Sequence, residues 1–262
     1  MGKIVAFSNQ KGGVGKTTTC VNMSACLAGL GKKVLLLDLD PQGNATSSLG
    51  IEKTEELKGI YNVIVGETEI EDVVKRTKYR NLDIIPTDIN LAGAEIDLVQ
   101  MENRENVLRN ALNKIKQSYD FITIDCPPSL GLLTVNALTS ADGIIIPILC
   151  EFLSLDALTQ LMNTVWLVKQ HLNSNLEIEG VVLTMKSARS NLAIEVSNEV
   201  KKFFDKKVFE TSIPRNIRVA EAPSYGESII DYDPKCKGAV AYMELTKEFL
   251  KRNEKKRGDR NE

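Results

Sequence analysis

Residues 11–18 of the chain read KGGVGKTT, a glycine-rich run that ends in a lysine and two threonines. The run follows a short apolar segment, KIVAFS at residues 3–8, and precedes a pattern typical of a helix at residues 17–30. A glycine-rich loop between a strand and a helix is the context in which a P-loop binds phosphate. These eight residues therefore predict a strand–loop–helix unit that carries a phosphate site.

The chemistry of this loop suits a nucleotide bound with a divalent cation. Its three glycines let the backbone approach phosphate oxygen atoms at points where a side chain would collide. The backbone N–H groups of the loop and of the following helix N-terminus then point at the anion. Lys16 is predicted to contact the β- and γ-phosphates, and the Thr17 hydroxyl to ligate Mg²⁺. The predicted nucleotide-binding residues, with ATP and Mg²⁺ as ligands, are Lys11, Gly12, Gly13, Val14, Gly15, Lys16, Thr17 and Thr18.

The loop departs from the common P-loop pattern at its start. The pattern G-x-x-x-x-G-K-S/T requires glycine at position 10, where this chain has Gln10, and Lys11 follows directly. A second lysine beside a phosphate pocket is electrostatically unfavourable unless it meets an anion of its own. We hypothesise that one lysine serves the bound nucleotide while the other reaches a phosphate in a second subunit.

Apolar runs and helical patterns alternate along the rest of the chain. Strands are predicted at residues 3–8, 34–37, 82–85, 121–124, 143–148 and 180–184, with a shorter one near 208–211. Helices are predicted at residues 17–30, 104–115, 155–171, 192–204 and 238–250. This alternation indicates an α/β fold with a doubly wound, mostly parallel sheet. We expect one P-loop ATPase domain at residues 1–252 and a charged, disordered tail at residues 253–262.

Composition limits the class of protein. The chain has 262 residues and a net charge of −2, so no global basic field draws it to nucleic acid. Its five cysteines are scattered, without the paired spacing of a zinc site or a disulfide framework. The first residues lack the apolar segment of a signal peptide, and no apolar run is long enough to span a membrane. We therefore expect a cytoplasmic protein.

Four motifs in order carry a family resemblance. They are KGGVGKTTT at residues 11–19, DLDPQGNAT at 38–46, DCPPSLGLLT at 125–134 and IPRNIRVAEAPSYG at 213–226. Together they resemble the ParA/Soj partition ATPases, in a wider group that includes MinD-like ATPases. The resemblance spans residues 3 to about 250. It implies a Rossmann-like P-loop NTPase fold with a deviant Walker A motif and an ATP-dependent sandwich dimer. In that dimer Lys11 resembles the signature lysine that contacts the partner's nucleotide.

Three aspartates stand at or just beyond the ends of apolar strands, where open α/β sheets bind their ligands. Asp125 resembles the Walker-B aspartate that holds Mg²⁺ directly or through water. Asp40 is similar to the family's aspartate that orients the attacking water, and Asp38 is expected to orient the lysines. The resemblance also implies an adenine-binding loop that contains Pro214 and Asn216. The predicted catalytic residues are Lys11, Lys16 and Asp40, and the predicted metal ligands are Thr17 and Asp125.

The charge distribution is uneven despite the near-neutral total. Residues 186–218 contain eight basic and four acidic side chains, which favours a basic face on an acidic protein. The resemblance implies that the ATP-bound dimer binds double-stranded DNA without sequence preference and lies on the nucleoid. Lys186, Arg189 and Arg218 are the candidate DNA contacts. It also implies a ParB/Spo0J-like centromere-binding protein that stimulates hydrolysis.

Two other functions remain open at this point. A MinD-like membrane-associated ATPase would need a C-terminal amphipathic helix. The apolar residues between positions 238 and 250 are more simply explained as a last helix packed on the sheet, so we expect no membrane partner. A metabolic or assembly ATPase with a protein client would depend on neither DNA nor lipid.

Overall fold

Seven strands and eleven α-helices make up the part of the chain that the computed structural model describes, residues 2–150, 155–187 and 190–258. The strands are β1 (Lys3–Phe7), β2 (Val34–Asp38), β3 (Lys75–Arg76), β4 (Leu82–Ile85), β5 (Phe121–Asp125), β6 (Gly143–Leu149) and β7 (Glu177–Thr184). The helices are α1 (Lys16–Gly29), α2 (Asn44–Ser48), α3 (Ile60–Ile64), α4 (Ala94–Val99), α5 (Val107–Ile115), α6 (Leu132–Ser140), α7 (Leu155–His171), α8 (Asn191–Phe204), α9 (Ile217–Glu221), α10 (Ile229–Tyr232) and α11 (Lys237–Gly258).

The strands form one sheet in the order β3-β4-β2-β5-β1-β6-β7. All neighbouring pairs are parallel except β3 and β4, which pair antiparallel. The predicted α/β fold with a doubly wound, mostly parallel sheet is thus confirmed. The sequence pattern missed β3 because its two residues, Lys75 and Arg76, are charged and form an edge strand.

Both faces of the sheet are covered, as the unbroken apolar strands predict. In β2, Leu35 and Leu37 belong to the core on one face, while Val34 and Leu36 belong to the core on the other. Successive side chains of a strand point to opposite faces, so one short strand contributes to both layers. Helix α11 lies over the second core and buries its apolar residues there, namely Tyr242, Leu245 and Phe249. The expectation that these residues pack on the sheet is therefore confirmed.

The register of the central strands brings the predicted site residues to one edge. Asp38 at the end of β2 and Phe7 at the end of β1 both lie opposite Asp125 at the end of β5. The loop of residues 8–15 leaves β1 at this edge and enters α1. The carboxyl ends of parallel strands share one edge of a sheet, so the loop and both aspartates meet there.

The strand predicted near residues 208–211 is absent. The chain runs beside β7 with a single bridge between Val181 and Val208, and Phe209 donates its backbone N–H to the Val181 carbonyl at 2.9 Å. The backbone N–H groups of Glu210 and Thr211 instead bond to the two carboxylate oxygens of Glu248, each at 2.9 Å. Glu248 of helix α11 thus accepts from two N–H groups that a longer strand beside β7 would need for its hydrogen bonds.

Helix α11 is longer than the sequence pattern predicts. It runs to Gly258 rather than ending near residue 250, and Asn253 is buried within it. The Lys3 ammonium donates to the Asn253 amide oxygen and to Glu179, which fixes the helix to the first strand. The division into a domain of residues 1–252 and a tail stays a prediction. No described helix is both long enough and apolar enough to cross a membrane.

We predict that Gly180→Ala destabilises the fold by overpacking. A Cβ at Gly180 would lie 2.2 Å from Cε2 of Phe209, a buried ring that the Arg252 guanidinium covers at 4.5 Å. The expected loss is about 1–3 kcal/mol of unfolding free energy, measured by urea denaturation. Adding Phe209→Leu makes room, so the double variant should lose less than the sum of the single variants. Wild-type stability of the single variant would contradict this packing.

Candidate functional site

The glycine-rich loop holds the shape that a bound anion requires. Gly13 and Gly15 have positive φ angles of 73° and 79°, in the left-handed region that glycine adopts without strain. A Cβ built at Gly13 would meet no atom within 4 Å, so the backbone here faces open space. Helix α1 has no side-chain cap at Gly15 and no acidic residue in its first turn. Its N-terminal N–H groups are therefore directed at space that an anion can fill.

A buried ammonium group lies inside this loop. The Lys16 side chain is 9% exposed, and its Nζ atom lies 3.9 Å from Asp40 Oδ2 and 3.9 Å from Asp125 Oδ1. Both distances exceed an ordinary hydrogen bond, so the ammonium is balanced between two carboxylates and bonded tightly to neither. A lysine held in this way keeps its donors available for phosphate oxygens.

The Asp125 carboxylate fits a cation site. It is fully buried, and neither of its oxygens accepts a hydrogen bond of ordinary length from a described residue, although the Thr17 hydroxyl lies nearby. Burial raises the pKa of Asp125 most, and the Asp40 charge adds to this, while the Lys16 ammonium and the Thr17 hydroxyl oppose it. Unsatisfied buried carboxylate oxygens next to a hydroxyl suit Mg²⁺, which takes few protein ligands beside water and phosphate. Accordingly, the described residues contain no cluster of three or more acidic, histidine or cysteine side chains that could hold a metal unaided.

Asp38 holds the loop that carries Asp40 in place through hydrogen bonds. One of its carboxylate oxygens accepts from both the backbone N–H and the hydroxyl of Thr46, each at 2.7 Å, and the other accepts from the Asp40 N–H at 3.3 Å. Burial raises the pKa of Asp38, and the nearby Asp125 charge raises it further. The role predicted for Asp38 was to orient the lysines. At Lys16, however, the carboxylates within salt-bridge distance are those of Asp40 and Asp125.

Two polar residues fix the loop to the sheet. The Thr184 hydroxyl donates to the Val14 carbonyl at 2.8 Å, and the Asn9 amide donates to the Pro147 carbonyl at 2.6 Å. The Asn9 amide oxygen in turn accepts the Lys11 N–H at 3.0 Å. The sequence reasoning missed Asn9; its signal was a polar residue two positions after the apolar β1.

Pro214 and Asn216 lie next to the carboxyl end of β7. Pro214 forms a bridge with Lys186, whose backbone N–H donates to the Ile213 carbonyl at 2.9 Å. The Asn216 side chain caps α9 by accepting the Arg218 N–H at 2.8 Å. Since Thr184 ends β7 and bonds the loop at Val14, the proposed adenine loop is connected to the phosphate loop through this strand.

The candidate DNA contacts have different surroundings. Lys186 is half-buried and lies beside Pro214, so its backbone belongs to the proposed adenine loop. Arg218 is exposed but pairs with Glu221 at 3.0 Å and with Asp233 at 3.7 Å, and its bond to Glu221 raises its pKa. Arg189 lies outside the described residues.

The fold and this site define a class of protein. A parallel sheet delivers a glycine loop, a buried lysine and strand-end carboxylates to one edge, which is the arrangement of a P-loop ATPase. The Gln10–Lys11 start of the loop makes it the deviant Walker-A kind.

Comparisons with known proteins agree with this class. A family model described as an AAA domain matches residues 2–178. The sporulation initiation inhibitor protein Soj of Bacillus subtilis is 58% identical over 248 residues, covering 95% of this chain and 98% of Soj. The chromosome partitioning protein ParA of Myxococcus xanthus is 48% identical, covering 97% of this chain and 89% of ParA. The chain belongs to the ParA/Soj family of chromosome-partitioning ATPases.

Solved structures with bound nucleotide share the fold. A structure described as cobyrinic acid a,c-diamide synthase of Mycobacterium smegmatis, with ADP and magnesium, has a TM-score of 0.85, 36% identity, and coverage of 95% of this chain and 94% of that one. The septum site-determining protein MinD of Pyrococcus horikoshii, with Mg-ADP, has a TM-score of 0.79, 28% identity, and coverage of 95% and 96%. ATP and Mg²⁺ are thus the ligands of this ATPase, as the sequence predicts.

We predict that the Thr46 hydroxyl stabilises the site. It donates to the buried Asp38 and accepts the Thr87 N–H at 3.1 Å, so Thr46→Val leaves two buried groups short of a partner. We expect a loss of about 2–3 kcal/mol of unfolding free energy, whereas Thr46→Ser keeps the hydroxyl and should lose about 1 kcal/mol. Guanidinium titrations of the two variants measure this, and equal losses would show that the hydroxyl contributes nothing.

Proposed function

We propose that this ATPase is a nucleotide-dependent switch on chromosomal DNA. Binding of ATP closes two copies of the chain into a dimer, and the dimer binds double-stranded DNA without sequence preference. Hydrolysis, which is slow without a partner, returns the chain to the monomer and releases it from DNA. A ParB-like centromere-binding protein stimulates that hydrolysis. The proposed location is the cytoplasm, on the nucleoid.

In this proposal each residue of the site has one task. The N–H groups of residues 12–18 bind the phosphates, and the Lys16 ammonium neutralises charge on the β- and γ-phosphates. Thr17 and Asp125 hold Mg²⁺, which when bound neutralises charge that develops on the phosphate oxygens. Asp40 orients the attacking water. Its carboxylate lies 3.9 Å from Nζ of Lys16, which in this proposal contacts the β- and γ-phosphates. Pro214 and Asn216 contact the adenine.

The observation that carries the dimer is the difference between the two lysines of the loop. Lys16 is buried among carboxylates, whereas Lys11 is only half-buried and is followed by the exposed Gly12 and Gly13. One lysine therefore serves the phosphates from inside the site, and the other lies partly exposed on the same loop. We infer that this second cation reaches the nucleotide phosphates of a second copy.

The excess of basic side chains in residues 186–218 supports a DNA surface, and the structure of α11 argues against the membrane alternative. Lys186, Arg189 and Arg218 stay the proposed contacts, with Arg218 exchanging its pairs to Glu221 and Asp233 for a phosphate. A MinD-like membrane helix is disfavoured because Tyr242, Leu245 and Phe249, which would have to enter the lipid, are buried in the core.

We expect nucleotide to control DNA binding. Fluorescence anisotropy of a labelled duplex of arbitrary sequence should show binding with ATP and Mg²⁺ but not with ADP, and the affinity should fall steeply as salt rises. Lys11→Ala should keep nucleotide affinity by calorimetry yet lose both the dimer and DNA binding. Equal DNA affinity with ATP, ADP and no nucleotide would overturn the switch, as would a Lys11→Ala variant that dimerises normally.

We expect Asp40→Ala to separate ATP binding from hydrolysis. The variant removes the carboxylate that orients water, so turnover should fall by at least about 100-fold in a phosphate-release assay. ATP-dependent dimerisation, measured by light scattering, should persist because the phosphate contacts remain. Lys16→Ala is the matched control, since it should abolish ATP binding itself in calorimetry. An Asp40→Ala variant that stays monomeric with ATP, or that turns over normally, would refute the assigned role.

A further inference from the structure

A second concave surface lies at the amino ends of the strands, on the opposite edge of the sheet from the phosphate loop. One cavity of about 570 Å³ is lined by the turn between β3 and β4 together with Lys33, Ser118 and Tyr119. A neighbouring cavity of about 390 Å³ is lined by the same three residues and by Lys3 and Lys32. The two cavities share these three lining residues, and we call the surface that they form together the amino-edge groove.

Cations dominate this groove. Six lysine and arginine side chains line it, against three acidic ones. Two of the six are neutralised within the chain: Lys3 pairs with Glu179 at 2.7 Å, and Lys78 pairs with Glu227 at 2.7 Å and Asp231 at 3.0 Å. Those without an ion pair to a described residue are Lys32, Lys33, Arg76 and Arg80.

None of the three acidic residues that line the groove lies within ion-pair distance of these four cations. Asp83 accepts the Tyr119 hydroxyl at 3.0 Å, and Asp120 accepts the Lys33 backbone N–H at 2.8 Å. Both carboxylates are thus occupied with positioning neighbouring groups. The third acid, Glu254, lines only the cavity that is remote from the β3–β4 turn. The residues that line the groove thus carry six positive and three negative charges, and three further carboxylates pair with Lys3 and Lys78.

The turn that presents the two arginines is held firmly in place. The Thr77 hydroxyl donates to the Leu82 carbonyl at 2.6 Å, and the Tyr79 hydroxyl accepts the Ser228 N–H at 2.7 Å. The ion pairs of Lys78 attach the same turn to the segment of residues 227–231. Arg76 and Arg80 remain exposed on this fixed support. A cation on a rigid support loses less conformational entropy when it binds an anion.

We propose that the amino-edge groove is a further contact site for the DNA phosphate backbone, separate from the surface of Lys186 and Arg218. This rests on the proposed DNA binding. Guanidinium groups bind phosphate through two parallel hydrogen bonds, and cations spread over two neighbouring open cavities suit an extended polyanion better than a compact one. The contact is independent of sequence because phosphates carry no base information.

The test compares charge reversals in the protein with ATP and Mg²⁺. Arg76→Glu and Arg80→Glu should each weaken binding of a labelled duplex about tenfold near 0.1 M salt. Each variant loses one phosphate contact, and each such contact releases about 0.9 counterions when the protein binds. Each should also lower the slope of log affinity against log salt by about 1. Arg80→Lys should restore most of the affinity. Lys58→Glu is the matched control, since it makes the same charge change at another exposed lysine and should alter affinity by less than about twofold.

Three readouts decide the outcome. Unchanged ATP turnover and ATP-dependent dimerisation in the arginine variants, with weaker DNA binding, support the groove. A DNA affinity of the arginine variants equal to that of Lys58→Glu overturns the proposal. Normal DNA binding combined with lost stimulation by a ParB-like protein also overturns it, because that result would assign the groove to an acidic protein segment. A wild-type protein that fails to bind DNA with ATP would instead reject the proposed function itself. Thermal melts verify that all variants fold. Arg80→Gln removes the charge by a milder substitution and replaces Arg80→Glu if that variant does not fold.

Discussion

The buried ammonium of Lys16 is the constraint on which the rest of the site depends. A lone charge inside a protein is strongly unfavourable, so its burial requires carboxylates at a suitable distance. Asp125, at the end of β5, and Asp40, two residues beyond the end of β2, supply them at 3.9 Å. Neither carboxylate comes close enough to bind the ammonium tightly. The same three charges therefore stabilise each other in the protein and remain able to bind a phosphate and a divalent cation.

This charge centre also explains why the parallel sheet is needed. Asp38 and Asp125 end neighbouring strands in register, and Asp38 fixes the Asp40 loop through Thr46. Thr184 at the end of β7 holds the phosphate loop from the other side. The carboxylates and the phosphate loop are thus attached to buried strand ends, which hold them at fixed positions around the phosphate site. At the opposite edge of the sheet, four of the six cations of the amino-edge groove form no ion pair with a described residue.

Much of the fold could be predicted because its signals are local. Unbroken apolar strands, a glycine loop and helical periodicity each depend on residues close in sequence, and they placed six of the strands and the phosphate loop. Two of the misses involve residues that are distant in sequence. Residues 208–211 do not form a strand because Glu248, a distant residue, binds two of their N–H groups. In the part of α11 that extends beyond its predicted end, Asn253 accepts a hydrogen bond from Lys3, at the opposite end of the chain.

The sequence by itself determined the chemistry: the loop at residues 11–18, the strand-end aspartates and the four motifs identify a P-loop ATPase of the ParA/Soj family. Only the tertiary structure decided which charges meet. It placed Lys16 between Asp40 and Asp125, and it bonded Asp38 to Thr46. It also paired Arg218 within the chain and left four of the six amino-edge cations without an ion pair to a described residue. The physical reason is that electrostatic and hydrogen-bond energies depend on distance in space. Sequence separation does not fix that distance until the sheet has assembled.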